Sequence, residues 1–158
     1  MPPFRPAKKA TPEQALQQVK HFCGFRERCH EEVREKLRSL GVWRSDQEEI
    51  LSKLIETDYL NEERFARVFA GGKFRVNKWG RNRIRYALKQ KKVSDYCIRK
   101  GLEEIDEADY LKVLARLAAD KYKSLSDSDA LRRKKTQEYL MGRGFEFELI
   151  KSALSSVS

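Results

Sequence analysis

At 158 residues the chain is long enough for one compact domain, or for a short array of small units that share a core. Charged residues make up 37% and hydrophobic residues 40%, which suits helices with one buried face and excludes a wide sheet buried on both faces. No apolar run approaches the roughly eighteen residues of a membrane span, and the sequence has only three cysteines, without paired spacing. We therefore expect a cytoplasmic protein without membrane contact.

The N-terminal part of the chain combines a short tail with a helix start. Residues 1–10 contain prolines and three cations but no apolar core, which indicates a flexible basic tail rather than a secretory signal. Thr11, Pro12 and Glu13 then form a helix-start pattern, because threonine caps exposed N–H groups and proline fits the first helical position. The sequence predicts a leading helix within residues 11–28.

Three later stretches share one apolar spacing, followed by a turn and a second apolar pair. The stretches are Val33 to Leu54, Ile84 to Leu102 and Thr136 to Leu154, with turns centred on Gly41, Lys92 and Gly144. Turns 51 and 52 residues apart indicate a repeated supersecondary unit. The alternative is chance agreement among amphipathic helices.

The repeat predicts an all-α protein, an elongated array of tandem three-helix repeats. We expect repeat 1 at residues 29–77 and repeat 2 at 78–123, each ending in a third helix, near Asn61–Arg75 and Asp106–Tyr122. A shorter third repeat, lacking its last helix, occupies 124–158. Because such repeats bury their faces against neighbours in the same chain, we expect a monomer.

Positive charge is concentrated in one part of the chain. Residues 73–100 hold eleven cations and one anion, a net +10 that equals the formal charge of the whole chain. Residues 27–67 instead hold eight cations and eleven anions. Such concentration indicates a polyanionic partner or an acidic protein surface.

The basic segment contains a predicted helix from Gly80 to Lys91, on which cations form a stripe beside the apolar face. The candidate binding residues are Lys78 before this helix, the stripe itself, and a second cluster that opens the third repeat. The stripe is Arg81, Arg85, Lys89 and Lys92, and the second cluster is Arg132, Arg133, Lys134 and Lys135. A solvated face without a partner is the alternative. Trp79, Tyr86 and Tyr96 lie among the cations, either to stack on bases or as core and boundary residues.

Patterns typical of catalysis or cofactor binding are weak. Ala70-Gly71-Gly72-Lys73 lacks the upstream glycine and the following serine or threonine of a phosphate-binding loop. Cys23, Cys29 and His30 lie close together without the ligand spacing of a zinc site. We predict no enzyme activity, no cofactor and no metal.

Three motifs, in order, are similar to the RecX family of recombination regulators. Arg28 to Leu37 resembles the family's opening Arg-Ser-x-x-Glu-Leu-x-x-Lys-Leu, Tyr59 to Ala66 its Leu-Asp-Asp-x-Arg-Phe-Ala element, and Gly80 to Leu88 its Gly-x-x-x-Ile-x-x-x-Leu helix start. The similarity covers about residues 16–157. This sequence departs from the pattern at Cys29, at Asn61-Glu62 and at Lys92, where serine, an acidic pair and glycine are usual.

The resemblance implies tandem three-helix units that lie along the groove of a RecA-type recombinase filament on DNA and restrain its ATP hydrolysis and strand exchange. DNA contact, single-stranded or double-stranded, is then weak and indifferent to sequence. Two other classes stay open: a helix-turn-helix-like transcription regulator that reads bases with Asn82 and Arg83, and an adaptor that binds only protein. Whether the filament is capped or coated also stays open.

Overall fold

The computed structural model describes residues 9–157, which form nine helices and no strand. Most of the predicted tail at 1–10 lies outside these residues. The helices are α1 (Pro12–Phe25), α2 (His30–Ser39), α3 (Arg44–Glu56), α4 (Glu62–Asn77), α5 (Arg81–Gln90), α6 (Asp95–Leu102), α7 (Glu107–Ser124), α8 (Asp129–Gly142) and α9 (Phe147–Ser155). None of these helices is long and apolar enough to span a membrane.

The predicted start of the first helix is confirmed in detail. The Thr11 hydroxyl accepts a hydrogen bond from the backbone N–H of Gln14, whose side chain accepts one from the N–H of Thr11. This reciprocal pair satisfies two N–H groups that a helix start leaves without partners. Just before it, the N–H of Ala10 donates to the carbonyl oxygen of Leu40 at 3.0 Å, which fixes the chain against the end of α2.

The helices form three units of three, and every pair of helices in extensive contact belongs to one unit. Unit 1 is α1–α3, unit 2 is α4–α6 and unit 3 is α7–α9. The all-helical fold of tandem three-helix units is thus confirmed, but each unit begins one helix earlier than the sequence repeat predicted, and the third unit is complete because it includes α7. The reason is that α4 packs closely on α6: a Cβ atom at Gly101 would lie 2.7 Å from the carbonyl oxygen of Ala66.

The sequence repeat corresponds to the second and third helices of each unit. The turn residues Gly41, Lys92 and Gly144 all adopt positive φ, at 74°, 60° and 99°. The repeated apolar positions are buried, with Ile84, Leu88 and Ile98 as examples in unit 2. The periodic signal therefore came from the residues that build each unit's interior.

Two separate hydrophobic cores hold the molecule together. One belongs to unit 1, and Leu60, in the loop after α3, is its last residue along the chain. The other runs through units 2 and 3, from Phe65 to Leu154, and also includes Cys29 from the start of α2. Units 2 and 3 thus share one interior, whereas unit 1 has its own.

The junction between units 2 and 3 brings two backbone segments into direct contact. The N–H of Gly80 donates to the carbonyl oxygen of Arg143 at 2.8 Å, and the N–H of Asn82 donates to that of Gly144 at 2.9 Å. A Cβ atom at Gly80 would lie 2.3 Å from the carbonyl carbon of Gly144, so only glycine fits there. The guanidinium of Arg143 also donates to the carbonyl oxygens of Asn77 and Lys78, at the end of α4.

The junction between units 1 and 2 is mainly polar and centres on Glu62. Its carboxylate accepts hydrogen bonds from the backbone N–H of His30 at 3.0 Å and of Ser94 at 3.4 Å. Lys92 faces Glu31 across the same boundary at 3.7 Å. The buried thiol of Cys29 donates a hydrogen bond to the carbonyl oxygen of Lys91 at 3.9 Å, and Cys29 supplies the apolar contact through its place in the core of units 2 and 3.

Candidate nucleic-acid interface

Unit 2 carries a basic surface formed by the second half of α4, the turn after it, and α5. Within residues 9–157, no carboxylate lies within 4.0 Å of any of its cationic groups. A lysine or arginine on a helix can pair with an acidic residue at helix spacing, as Lys53 does with Glu49. The basic surface consists of Lys73, Arg75, Lys78, Arg83, Arg85, Lys89 and Lys91.

Helix α5 presents these charges because its apolar face is narrow. Ile84 and Leu88 are fully buried, so residues on either side of them lie at the boundary with solvent. Arg85 and Lys89 are one turn apart on one side. Among the residues that the structure describes, the Arg85 guanidinium bonds only the neutral side-chain oxygen of Asn82, at 3.0 Å. Like charges at this spacing repel each other unless an anion is present.

Arg81, which the sequence placed in the same stripe, points into the protein. Its guanidinium forms ion pairs with Glu146, at 2.8 Å, and with Glu107, and lies over the Tyr110 ring. The Tyr110 hydroxyl donates to Glu146 and accepts from the backbone N–H of Arg81. Burial alone would lower the pKa of Arg81, but the bonds to both carboxylates raise it. Arg81 stabilises the junction between units 2 and 3.

Two other residues predicted to bind, Lys78 and Lys92, each make one side-chain contact within the protein and stay exposed. Lys78 ends α4 in a left-handed conformation, with φ 56°, and its ammonium donates to the carbonyl oxygen of Arg75 at 2.7 Å. Lys92 is paired with Glu31 across the junction of units 1 and 2, yet its side chain is 73% exposed. Exposed pairs of this kind contribute little free energy and do not prevent a second contact.

The second predicted cluster mostly holds unit 3 together. Arg132 donates to the carbonyl oxygen of Tyr122, and Lys135 pairs with Asp127 at 2.9 Å. Arg133 pairs with Asp129 and donates to the carbonyl oxygens of Leu154 and Val157, which satisfies the end of α9. Lys134 is exposed and has no acidic partner among the described residues.

This cluster lies away from the basic surface. The end of α8 that meets unit 2 is at Arg143, ten residues beyond Arg133 and therefore about 15 Å along the helix axis. The structure brings Arg85 and Lys89 together on α5, but it does not join them to residues 132–135. The predicted stripe does not include four further cations of the basic surface, although all of them belong to the basic segment 73–100: Lys73, Arg75, Arg83 and Lys91.

The aromatic residues of the basic segment divide into two kinds. Trp79 is half-buried and packs against the shared core of units 2 and 3, as a boundary residue does. Tyr86 and Tyr96 are exposed on α5 and α6, with their side chains at the surface. Arg99 and Lys100 approach the Tyr96 ring at 6.0 and 5.7 Å.

The segments compared above with a phosphate-binding loop and with a zinc site lie in a helix and in the two cores. Ala70 to Lys73 lies in the middle of α4, where no loop exists to surround a phosphate. Cys23 and Cys29 belong to different cores, and burial raises the pKa of these thiols to about 11 and about 12. Such thiols stay protonated and unreactive at neutral pH.

The start of α5 is covered by the turn between α8 and α9. Asn82 donates its backbone N–H to Gly144, and its side-chain oxygen accepts from Arg85. A recognition helix needs the side chains of its first turn free to reach base edges. The first turn of α5 thus meets unit 3 through its backbone, while Asn82 and Arg83 are exposed and the Asn82 side-chain oxygen is bonded to Arg85.

The fold and this surface define an all-helical protein of tandem three-helix units with one strongly basic unit. Two family models match it: "RecX, second three-helix domain" over residues 61–102 and "RecX, third three-helix domain" over residues 107–154, the ranges of units 2 and 3. Regulatory protein RecX of Prosthecochloris aestuarii is 32% identical over 90% of this chain and 93% of its own length. The chain belongs to the RecX family of regulatory proteins.

Two further relatives differ more from this chain, one in length and one in sequence. Regulatory protein RecX of Clostridium tetani is 30% identical over 80% of this chain, which corresponds to 59% of that protein. The crystal structure of RecX from Lactobacillus salivarius superposes with a TM-score of 0.83 at 22% identity, over 92% of this chain and 96% of that one. The arrangement of all three units is therefore shared with a solved RecX.

Proposed function

We propose that this protein binds the DNA-bound filament of a RecA-type recombinase and lowers its ATP hydrolysis and strand exchange. It would act in the cytoplasm, in recombination and repair, without chemistry of its own. Membership of a family of regulatory proteins supports the regulatory role. The choice of RecA as the target rests on the resemblance of the sequence motifs to that family.

The basic surface is the single observation that carries the binding side of this proposal. A filament on DNA presents phosphates, and lysine and arginine groups that displace their counterions gain affinity without reading sequence. The seven cations of the basic surface have no carboxylate within 4.0 Å among the described residues. A ligand that binds the assembled filament in preference to free subunits then shifts the recombinase toward the bound state.

We further propose an elongated monomer as the active form. Extensive contacts between helices are confined to each unit, so the units follow one another like the repeats of a solenoid. Such a shape lets one molecule touch several filament subunits. Small-angle scattering in solution should give a monomer longer than a sphere of the same mass, and a compact near-sphere would contradict the arrangement.

The direct test is an ATPase assay of the recombinase on single-stranded DNA. Addition of the protein from well below one per recombinase subunit up to parity should lower the rate progressively. Pelleting of the filament should carry the protein with it. An unchanged ATPase rate at parity, together with no protein in the pellet, would contradict the proposed function.

A charge-reversal variant links the activity to the basic surface. Arg85→Glu with Lys89→Glu should strongly reduce filament binding and inhibition, because both side chains lack acidic partners and are not needed for folding. Arg81 is left unchanged, since its substitution would weaken the junction between units 2 and 3. Lys112→Glu with Lys123→Glu, two exposed positions in unit 3, is the matched control and should retain inhibition.

A further inference from the structure

Aromatic rings and cations alternate along the edge of unit 2, from α4 across the turn to α5. The Lys73 ammonium lies 5.5 Å from the centre of the Phe69 ring and 4.9 Å from that of the Trp79 ring. The Arg83 guanidinium lies 4.2 Å from the centre of the same Trp79 ring. We call Phe69, Lys73, Trp79 and Arg83 the aromatic–cation row.

The two cations of this row are close together and uncompensated. Because both contact one indole ring, their charges lie at most about 9 Å apart, the sum of their distances to its centre. No carboxylate among residues 9–157 lies within 4.0 Å of either group. The ring attracts each cation but leaves its charge intact, so the pair still attracts an anion.

Trp79 restricts where these two side chains can go. Lysine and arginine normally lose about 1 to 2 kcal/mol of conformational entropy when they are fixed, and a ring that fixes them in advance lowers that cost for a ligand. The ring is itself fixed, because it packs against the shared core. The preceding turn is held by Arg143 from unit 3, through the carbonyl oxygens of Asn77 and Lys78.

We propose that Lys73 and Arg83, positioned by the Trp79 indole, form a binding site for the phosphodiester backbone of nucleic acid. This inference deepens the proposed function, since it assigns DNA contact to particular residues. Trp79 is a positioning residue in this site: it holds the cations and does not itself take the phosphate. The remaining cations of the basic surface extend the contact along α5.

The salt dependence of DNA binding separates the role of the two cations, which contact phosphate, from that of Trp79, which positions them. Each phosphate contact contributes about 0.7 to the slope of log affinity against log salt on single strands and about 0.9 on duplex DNA. Lys73→Gln with Arg83→Gln should therefore lower the slope by about 1.4 on a labelled single strand and about 1.8 on the duplex, measured by fluorescence anisotropy between roughly 50 and 200 mM salt. An unchanged slope on both DNAs would overturn the site.

The Trp79→Leu variant keeps both cations and removes the ring. It should weaken DNA binding by roughly fivefold while the salt slope stays that of the wild type, because the same counterions are released but the side chains must first be ordered. Trp79→Phe should restore most of the affinity. A Trp79→Leu protein that is helical by circular dichroism and binds DNA as tightly as wild type would overturn the positioning role.

A matched control lies in unit 3. Lys121 also sits 4.9 Å from the centre of an aromatic ring, that of Tyr139, and lacks an acidic partner among the described residues. The second cation over that ring, Arg143 at 5.7 Å, already donates to the carbonyl oxygens of Asn77 and Lys78. Lys121→Gln should leave the slope within error of wild type. These measurements use naked DNA and do not depend on the recombinase. If the wild-type protein shows no filament inhibition but the variants change the salt slopes as expected, only the proposed function is contradicted.

Discussion

The two junctions of this molecule join similar units in different ways. Units 2 and 3 share one hydrophobic core and meet through backbone contact at Gly80 and Gly144, beside the Arg81 ion pairs. Units 1 and 2 keep separate cores and meet through hydrogen bonds to Glu62, with Cys29 as the apolar contact. Similar units can therefore meet at one tightly packed junction and at one mainly polar junction. Substitutions at the tightly packed junction should cost more stability.

The largest effect is expected at Gly80. Gly80→Ala should lower the free energy of unfolding by about 3 kcal/mol or more, because the new methyl group meets rigid backbone at Gly144. Urea unfolding followed by circular dichroism measures the loss. Gly72→Ala is the control: nothing lies within 4 Å of its Cβ position in α4, so stability should rise by about 0.5 to 1 kcal/mol. Similar stabilities for both variants would contradict the close junction.

A smaller loss is expected from the ion pair beside that junction. Glu146→Ala removes the acceptor of both Arg81 and the Tyr110 hydroxyl, in a setting where both partners are largely buried, and should cost about 2 kcal/mol. Arg116→Met removes an ion pair with Asp120 in which both side chains are mostly exposed, and should change stability by less than about 0.5 kcal/mol. Equal losses in thermal unfolding would show that burial does not distinguish the two pairs.

The polar junction provides the next comparison. Glu62→Ala should cost about 1 kcal/mol, since two backbone N–H groups lose an acceptor but lie near enough to the surface to bind water. Hydrogen exchange should show faster exchange at His30 and Ser94 while α7 to α9 keep wild-type protection. Loss of protection in unit 3 as well would mean that all three units unfold together.

The smallest effect is expected at the turn residue Lys92. Lys92 adopts a left-handed conformation that costs a lysine about 1 to 2 kcal/mol, and this is partly offset by the greater flexibility of glycine in the unfolded chain. Lys92→Gly should therefore raise stability by about 0.5 kcal/mol. Gly144→Ala, at the equivalent turn, should instead be strongly destabilising because its Cβ would lie 2.4 Å from that of Arg83. A loss of stability in Lys92→Gly would contradict the strain argument.

The sequence predicted the helices and their interiors, because periodicity reports directly on burial. Thr11 as a cap and the apolar spacing from Ile84 to Leu88 have one structural meaning whatever they pack against. The grouping of helices into units was not predictable in this way. Whether α4 packs on α3 or on α6 depends on contacts such as that of Gly101 with Ala66, 35 positions apart, and periodicity carries no information about them.

The candidate site also has one part that the sequence predicted and one part that it could not predict. Charge density located the basic surface in unit 2, since the excess of cations there is a property of the sequence. A helical stripe could not show that Arg81 turns toward Glu146, whose position was 65 residues away. Nor could it show that Arg83, one of the residues outside the stripe, shares the Trp79 ring with Lys73.

The unequal cores have a consequence for synthesis on the ribosome. The core of unit 1 ends at Leu60, so it is complete early in translation. The second core needs Leu154, and at 5 to 20 residues per second its last part emerges roughly 5 to 20 s later. During that interval the apolar faces of α4 to α6 stay accessible to chaperones. Cys29 already belongs to a folded unit but is not yet buried by the residues of the second core.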